Sequence, residues 1–596
     1  MTVNERIDKL RILMAERNID IYIVPTADFH NTEFVGEHFK ARKYMSGFSG
    51  SDGTLIVTVD EAALWIDGRY FLQAAKELEQ TEIKRMEIGE PGIPTIDEYL
   101  KENLPQSGII GFDGRVMNTA DYLKYIEIAG QKNGSLCTDV DLVDIIWQDR
   151  PALSEEKAWM LTDEQAGEDV ASKIKRLRRY MSENNCDLFL ISALDEVAWL
   201  MNMRGGDISY FPVAMAYAAV TCDEVNLFID EKKTDDLLRA KFESEGITLR
   251  DYDCIYDYAE DIKGVSAAAD FVSLNSAVYR KLSEGNDLIN VISPVKLWKA
   301  VKNSTELANT VKAHIKDGIA VTKFIYRIKK DVASGKRITE LDAADILLAY
   351  RNEQEGFIEP SFETIAAYGS NGAYVHYSAK KDDQAILKQK GFLLVDSGGH
   401  YIDGTTDITR TIVLGNISRE QKIMFTAVLK GMIKLSMARF PEGCCGYNLD
   451  VLCRSPLWEM GLDYRHGTGH GIGHIGAVHE GPNAFRWRRS GPQDDFPVTA
   501  GMITSNEPGY YKDGEYGIRI ENEIVAAYDI KTEFGQFMRF DTLTYAPIDC
   551  DAIEVSMLSG EEKKWINDYH RKVYDTIKDK LDEEEKMWLA EVTAAI

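Results

Sequence analysis

The chain has 596 residues, 44% of them hydrophobic and 28% charged, with 97 acidic against 69 basic side chains and a formal charge of -28. That length exceeds what one core organises, and three or four domains are expected. The acidic balance excludes nucleic acid and anionic membrane as partners, since both need a basic footprint. It suits cationic ligands, including metal ions and free amino termini.

Residues 5–20 predict an amphipathic helix with Ile7, Leu10, Leu13 and Met14 on one stripe. The start lacks the apolar core of a signal peptide. No run approaches the roughly 20 apolar residues that cross a bilayer. A strand follows at Ile21–Val24, then a glycine-serine loop, YMSGFSGSDGT, that feeds another. ALWIDGRYFLQAA predicts a strand through Trp65 and Ile66, a turn at Asp67-Gly68, and Arg69 at its mouth.

The pattern then returns. Lys9, Leu10, Arg11, Met14, Asn18 and Asp20 match Arg176, Leu177, Arg178, Met181, Asn185 and Asp187 at an offset of 167. LWID after Asp60-Glu61 matches LFID after Asp223-Glu224 at an offset of 163. An ordered series at nearly constant offset predicts a duplicated α/β unit, with domains at 1–150 and 151–302 and a linker around Ser154–Asp169. The second copy has DEKK where the first has DGRY, so Arg69 has no counterpart there. That difference favours a specific role for Arg69.

A third region, 303–540, begins with helices over Ser304–Val332 and Ile338–Gln354, and 541–596 forms an extension. Phe425, Val428, Leu429, Met432 and Leu435 have helical spacing and mark a core stripe. Strands are predicted at Thr364–Ala367, Gly391–Val395, Thr409–Leu414 and Gly517–Ala526. The class is α+β, with antiparallel strand pairs. A charged helix at Glu561–Leu581 is expected to pack on the outside or to mediate association.

RHGTGHGIGHIGAVHEGP holds four of the ten histidines, at 466, 470, 474 and 479, with glycines between them. It is either a glycine loop that happens to carry histidines or part of a site. Other residues favour a site. FLLVDSGG puts Asp396 at a strand end. Eleven residues on, Asp407 opens an alternating strand, on one face with Thr409 and Thr411. NEPGYY supplies Glu507. GIRIENEIV sets Arg519, Glu521 and Glu523 on one strand face. Four carboxylates and an imidazole are too oxygen-rich for structural zinc. They suit a pair of Mn²⁺, Co²⁺ or Zn²⁺ ions, with Mn²⁺ favoured by hard ligands. Such a pair is machinery for hydrolysis.

Asp396, Asp407, His470 in HGTGHGIG, Glu507 in NEPGYY and Glu521 in RIENE resemble the pita-bread (creatinase/aminopeptidase) metallopeptidases. YMSGFSGSDGT, WIDGRYFLQA, NGAYVHYSA, VHEGPN and EPGYY resemble the long, three-domain cytosolic form of the aminopeptidase P (X-Pro aminopeptidase) subfamily. The resemblance implies a pita-bread catalytic domain after two creatinase-N-type α/β domains, and a homodimer. It implies that Asp396 holds one metal and that His470 and Glu507 hold the other. Asp407 and Glu521 would bridge both, and Glu507 would also shuttle a proton. His376 and His479 would hydrogen-bond the scissile carbonyl, with His466 near the substrate pocket. Arg69 would reach the substrate, and Arg519 would orient ligating carboxylates. His474 is expected to be structural, His400 solvated, and FRWRRSG (485–491) a surface loop.

The expected activity is removal of a first residue that precedes proline. A prolidase that takes X-Pro dipeptides is the nearest alternative, and the duplicated N-terminal module favours the longer enzyme. A pita-bread binding module without catalysis is the other, and the five ligands speak against it. Eight scattered cysteines without a CxxC pair predict reduced thiols and a cytoplasmic location.

Overall fold

A computed structural model describes residues 1–489 and 491–596. The chain divides into two compact units: Met1–Asp163 with Glu168–Val295, and Glu164–Gly167 with Lys296–Ile596.

Unit 1 holds two six-stranded sheets. The first comprises β1 (Ile21–Pro25), β2 (Thr54–Thr58), β3 (Ala62–Ile66), β4 (Lys84–Glu87), β5 (Ile109–Gly111) and β6 (Ser135–Cys137), in the order β4-β3-β2-β1-β5-β6. The second comprises β7 (Leu188–Ile191), β8 (Ala216–Thr221), β9 (Val225–Ile229), β10 (Ile247–Arg250), β11 (Ser266–Ala269) and β12 (Asp287–Asn290). Its order, β10-β9-β8-β7-β11-β12, repeats the first.

The matched residues do matched work. Helix α1 (Val3–Glu16) buries Ile7, Leu10 and Met14, and helix α2 (Val170–Glu183) buries Ile174, Leu177 and Met181. The first helix ends short of the expected residue 20, and in both copies an asparagine just past the helix, Asn18 (φ 56) and Asn185 (φ 52), turns left-handed, a conformation asparagine tolerates. Asp20 then accepts the Ile109 amide on β5, and Asp187 accepts the Ser266 amide on β11. Arg11 Nε donates to the Thr58 carbonyl and Arg178 Nε to the Thr221 carbonyl. The sequence reading missed a further pair, DGRVMNT (113–119) and DFVSLNS (270–276). These stretches join reciprocally: the Thr119 amide donates to Leu274 and the Ser276 amide to Met117, both at 2.8 Å. The expected linker is partly built in, since Trp159–Met160 pairs with Met203–Arg204.

Unit 2 contains β13 (Phe357–Pro360), β14 (Ile365–Tyr368), β15 (Phe392–Ser397), β16 (Gly399–Tyr401), β17 (Gly404–Thr405) and β18 (Ile408–Val413). It continues with β19 (Arg439–Pro441), β20 (Gly469–His470), β21 (Ala484–Phe485), β22 (Ile503–Asn506), β23 (Gly509–Lys512), β24 (Tyr516–Arg519), β25 (Asn522–Thr532) and β26 (Gly535–Thr542). The sheets are β13-β16-β17, β14-β15-β18, β19-β26-β25-β22, β20-β21 and β23-β24. Helices α3 (Ser304–Ala333), α4 (Glu340–Asn352), α5 (Arg419–Ser436), α6 (Gly446–Trp458) and α7 (Gly560–Ile577) accompany them.

The helix α3 begins at an Asn303 cap with a reciprocal bond from Glu306. The α5 stripe is buried: Phe425, Val428, Leu429 and Met432 pack with Ile518 and Ile520 and with Ile566, Tyr569, Val573 and Ile577 of α7, while Leu435 joins Phe440 and Leu449 in a second cluster. The charged helix α7 therefore contributes an apolar face to the core, where the sequence had suggested an outer packing element.

Two strand expectations change. The stretch 517–526 is not one strand. It breaks at Ile520–Glu521, where the Glu521 amide turns to the Thr409 carbonyl at 3.1 Å. β24 pairs with β23, and β25 pairs with β22 and β26. Asp396 and Asp407 do lie on neighbouring strands, with Asp396 opposite Thr409. The residues between them leave as β16 and β17 to join β13 in another sheet. That corrects His400, expected to be solvated. It is fully buried, with Nδ1 3.0 Å from Thr405 Oγ1.

Candidate metal centre

Five strands or strand ends bring the predicted ligands to one place in unit 2. Asp396 ends β15, Asp407 precedes β18, His470 closes β20, Glu507 follows β22, and Glu521 fills the break between β24 and β25. The His470 amide donates to Ser505 Oγ at 3.0 Å, and the Glu507 amide donates to the Thr468 carbonyl at 2.8 Å. These bonds fix the two candidate ligands relative to each other. Ligand atoms of Asp407, His470 and Glu521 all lie within 4.8 Å of one another. His470 Nε2 is 3.5 Å from Asp407 Oδ2 and 3.6 Å from Glu507 Oε1.

The arrangement suits cations. His470 Nδ1 donates to the Gly471 carbonyl at 3.1 Å, which leaves the Nε2 lone pair facing two carboxylates. Asp396 Oδ1, Asp407 Oδ1 and Glu521 Oε1 are buried without a hydrogen-bond partner. Burying such oxygens without compensation costs several kcal/mol, on the order of the penalty per ion. Burial, reinforced by Glu521, Asp396, Glu507 and Glu523, pushes the Asp407 carboxyl well above the usual carboxylate range. Burial and the nearby Asp396 push Glu521 up to about 8, against the hydroxyl of Thr409 and the charge of Arg519, which act the other way. Divalent ions relieve both the repulsion and the unmet acceptors. The residues present therefore fit hard metal ions held by oxygen and one imidazole.

A supporting layer stands behind them. Arg519 donates to Asp396 Oδ2 from Nη2 at 2.6 Å and from Nε at 3.2 Å. Its Nη1 donates to the Tyr511 hydroxyl at 2.6 Å, and that hydroxyl is 2.8 Å from His466 Nε2. His466 Nδ1 faces the Gly467 carbonyl at 2.7 Å, so Nε2 accepts from Tyr511. His466 thus connects through Tyr511 and Arg519 to Asp396.

Sequence reasoning missed His314 and the part played by Glu523. Glu523 Oε1 accepts the Asp407 amide at 2.6 Å, and Oε2 is 2.9 Å from His314 Nε2. Burial holds His314 down to about 4, so it is neutral. The alternation through Arg519, Glu521 and Glu523 hinted at Glu523. Nothing in helix α3 marks His314, which reaches the site only through the fold.

The remaining candidates are distributed as follows. The rings of His479 and His470 stand edge to face with centroids 4.2 Å apart. His376 follows Val375, whose carbonyl accepts from Arg519 Nη2 at 3.3 Å. His474 is buried, with Nε2 3.0 Å from the Gln165 carbonyl, a structural contact. Arg69 lies in unit 1 and grips Asp67 of its own turn with two bonds, of 2.9 and 2.7 Å. The basic stretch 485–491 is not wholly a surface loop. Phe485 is buried in β21, while Trp487 is exposed and Arg489 pairs with Asp495. Ser490 lies outside the described residues.

A buried cluster this rich in oxygen does not suit structural zinc and fits the paired metal ions that activate water for hydrolysis. Known proteins agree. The model of metallopeptidase family M24 matches residues 308–527, and the model of its C-terminal region matches 536–596. Two models of the creatinase/prolidase N-terminal domain match 6–150 and 149–306. "Aminopeptidase P2" of Arabidopsis thaliana is 38% identical over 97% of this chain and 86% of its own. A Laccaria bicolor protein named "Probable Xaa-Pro aminopeptidase P" is 40% identical over 97% of this chain and 91% of its own. Among solved structures, an X-prolyl aminopeptidase from Caenorhabditis elegans superposes with a TM-score of 0.95 at 34% identity, covering 100% of both chains. That protein is described as a cytosolic enzyme with a di-nuclear active site. The chain belongs to metallopeptidase family M24, in its aminopeptidase P branch. Its fold is the pita-bread peptidase domain preceded by paired creatinase-type domains.

Proposed function

We propose that the chain is a metalloaminopeptidase that hydrolyses the bond between the first residue of a peptide and a proline in second position, with two divalent ions in the site. The observation that carries the metal reading is the convergence of the His470 lone pair with unpartnered oxygens of Asp396, Asp407 and Glu521. Full-length similarity to Xaa-Pro aminopeptidases supports the substrate class. An X-Pro bond is a tertiary amide with no N–H and a fixed ring, so it needs a dedicated site.

Asp396 would hold one ion, Asp407 and Glu521 both, and His470 and Glu507 the other. Hard ligands favour Mn²⁺, with Co²⁺ or Zn²⁺ as substitutes. When bound, the ions supply the Lewis acidity that makes water nucleophilic at neutral pH. Glu507 takes the proton from the attacking water at its carboxylate and delivers it to the proline nitrogen, which leaves as an amine. His376 and His479 donate to the scissile carbonyl oxygen as negative charge develops there. Arg519 holds the face of Asp396, and His466 steadies Arg519 through Tyr511. Arg69 is assigned to the substrate on the family pattern.

The same reading places domain boundaries near residues 150, 302 and 540. Homodimerisation is supported by the exposed Trp458 and Trp487, whose rings meet edge to face. A cytoplasmic location is supported by eight free cysteines, and no helix among the described residues is long and apolar enough to cross a membrane.

Metal-stripped protein tests the proposal. It should be inactive on an X-Pro-Pro tripeptide and recover with Mn²⁺ more than with Co²⁺ or Zn²⁺. The recovered enzyme should release the first residue and act poorly on X-Pro dipeptides. Activity confined to dipeptides would favour prolidase, and full activity after stripping would sink the metal reading.

A further inference from the structure

Glu340 is the first residue of helix α4, and it is fully buried. Among the described residues, no lysine or arginine pairs with it in an ion pair. It is surrounded by neutral donors. Oε1 accepts the Tyr368 amide at 2.7 Å and Asn371 Nδ2 at 3.0 Å. Oε2 accepts the Tyr377 hydroxyl at 2.8 Å, the Ala385 amide at 2.7 Å and Asn371 Nδ2 at 3.1 Å. Glu340 also opens a helix, where the N-terminal end of the dipole attracts a carboxylate. Burial and the bond to Glu340 push the Tyr377 hydroxyl up, so it stays a donor.

All of these donors come from one segment, 368–385, and His376 lies inside it. The segment is anchored on its other side as well. Gly372 packs so closely on Gly517 of β24 that a Cβ at 372 would stand 2.9 Å from the Gly517 amide nitrogen. Arg519, also on β24, donates to the Val375 carbonyl. The residue before His376 is therefore tied to the arginine that orients Asp396, and the residue after it to Glu340. Four donor groups, one of them shared between both oxygens, converge on this one carboxylate.

We propose that Glu340 is a positioning residue of the active site: through Tyr377 it sets the place and orientation of His376. The carboxylate touches neither metal ligand nor substrate. It acts by holding the loop at four points, Tyr368, Asn371, Tyr377 and Ala385, so that His376 presents one face to the carbonyl oxygen. This rests on the assignment of His376 to the scissile carbonyl.

Double-mutant cycles on an X-Pro-Pro peptide test it, with Y377F as the mild variant and E340Q as the severe one, each made in wild-type and H376A backgrounds. Y377F removes one bond and leaves the other donors to Glu340, so the chain is expected to fold. In the wild type, Y377F should lower kcat about tenfold with KM changed less than about twofold and with metal content unchanged. In the H376A background the same substitution should cost almost nothing, because its effect passes through the missing imidazole. A purely structural role would lower the melting temperature and multiply the loss equally in both backgrounds, and that result overturns the proposal. So does an unchanged kcat in Y377F. If H376A itself keeps wild-type kcat, the assignment of His376 fails first and the proposal falls with it. An inactive H376A with additive Y377F sinks the positioning role alone.

Discussion

Asp407→Asn is expected to lose the bound metal and about a thousandfold or more of kcat/KM, while its metal-free form becomes more heat-stable than the metal-free wild type. Both halves follow from one geometry. Asp407 is buried among Glu521, Asp396, Glu507 and Glu523, with one oxygen 3.5 Å from His470 and the other unpartnered. Its negative charge is useful only when a cation is present. An amide keeps the shape and removes the charge, so the apo protein no longer buries a fifth carboxylate against the four around it. Metal analysis, turnover and thermal melts of stripped and loaded samples check the prediction. A stripped variant less stable than stripped wild type would mean that Asp407 has a structural partner the geometry does not supply.

The same repulsion sets a pH dependence for the metal-free wild type. Glu521 is pushed up to about 8 in the folded protein from 4.5 in an ordinary setting, and Asp407 is pushed up as well. In that window the folded state binds more protons than the unfolded one, so stability falls as pH rises. Metal-free protein should therefore melt at progressively lower temperature from about pH 4.5 to about pH 8. Loaded protein should show the opposite trend at the acid end, because protons there displace the ions. Melting curves of the two forms should meet at the acid end and separate as pH rises, and parallel curves would contradict the assignment of these carboxylates to the metal.

Much of this was legible in the sequence for a physical reason. The duplication was visible because the repeated residues do backbone work that tolerates few alternatives. Asn18 and Asn185 occupy left-handed turns, and Asp20 and Asp187 clamp an incoming strand. The proposed ligands stood out because carboxylates beside glycines at strand ends are poorly explained by solvent. What stayed hidden depends on partners far away in the chain. The break at Ile520–Glu521 is invisible because the alternation of apolar and charged residues runs straight through it. Only the Thr409 carbonyl, 112 residues away, makes the backbone change partners. His400 was expected in solvent, and it is buried because the residues between Asp396 and Asp407 form strands of a separate sheet. Glu340 and His314 sit on ordinary helical periodicity. Their importance comes from what lies opposite them, which one-dimensional spacing does not encode.

Gly469→Ala is expected to abolish most activity although it adds a single methyl group. A Cβ at 469 would stand 1.9 Å from the Ser505 carbonyl oxygen and 3.0 Å from the Phe485 ring. The first obstacle is backbone on β22, and it has no rotamer by which to give way. Overpacking of this kind costs about 1–3 kcal/mol in stability. The functional cost is larger, because relief requires β20 to move away from β22. His470 closes β20 and its amide bonds to Ser505 on β22, while Glu507 follows β22 directly. Separating the two strands therefore pulls apart two proposed ligands of one ion. A displacement near 1 Å costs about a hundredfold in rate, and weaker metal retention adds to it. The substitution should lower metal affinity and kcat together and leave the spectroscopic fold intact. Gly461→Ala controls for glycine loss alone. That residue faces open space but has φ +72, so it should cost stability without touching the metal. If Gly469→Ala keeps both its metal and its turnover, close backbone approach is not what brings the imidazole to the carboxylates.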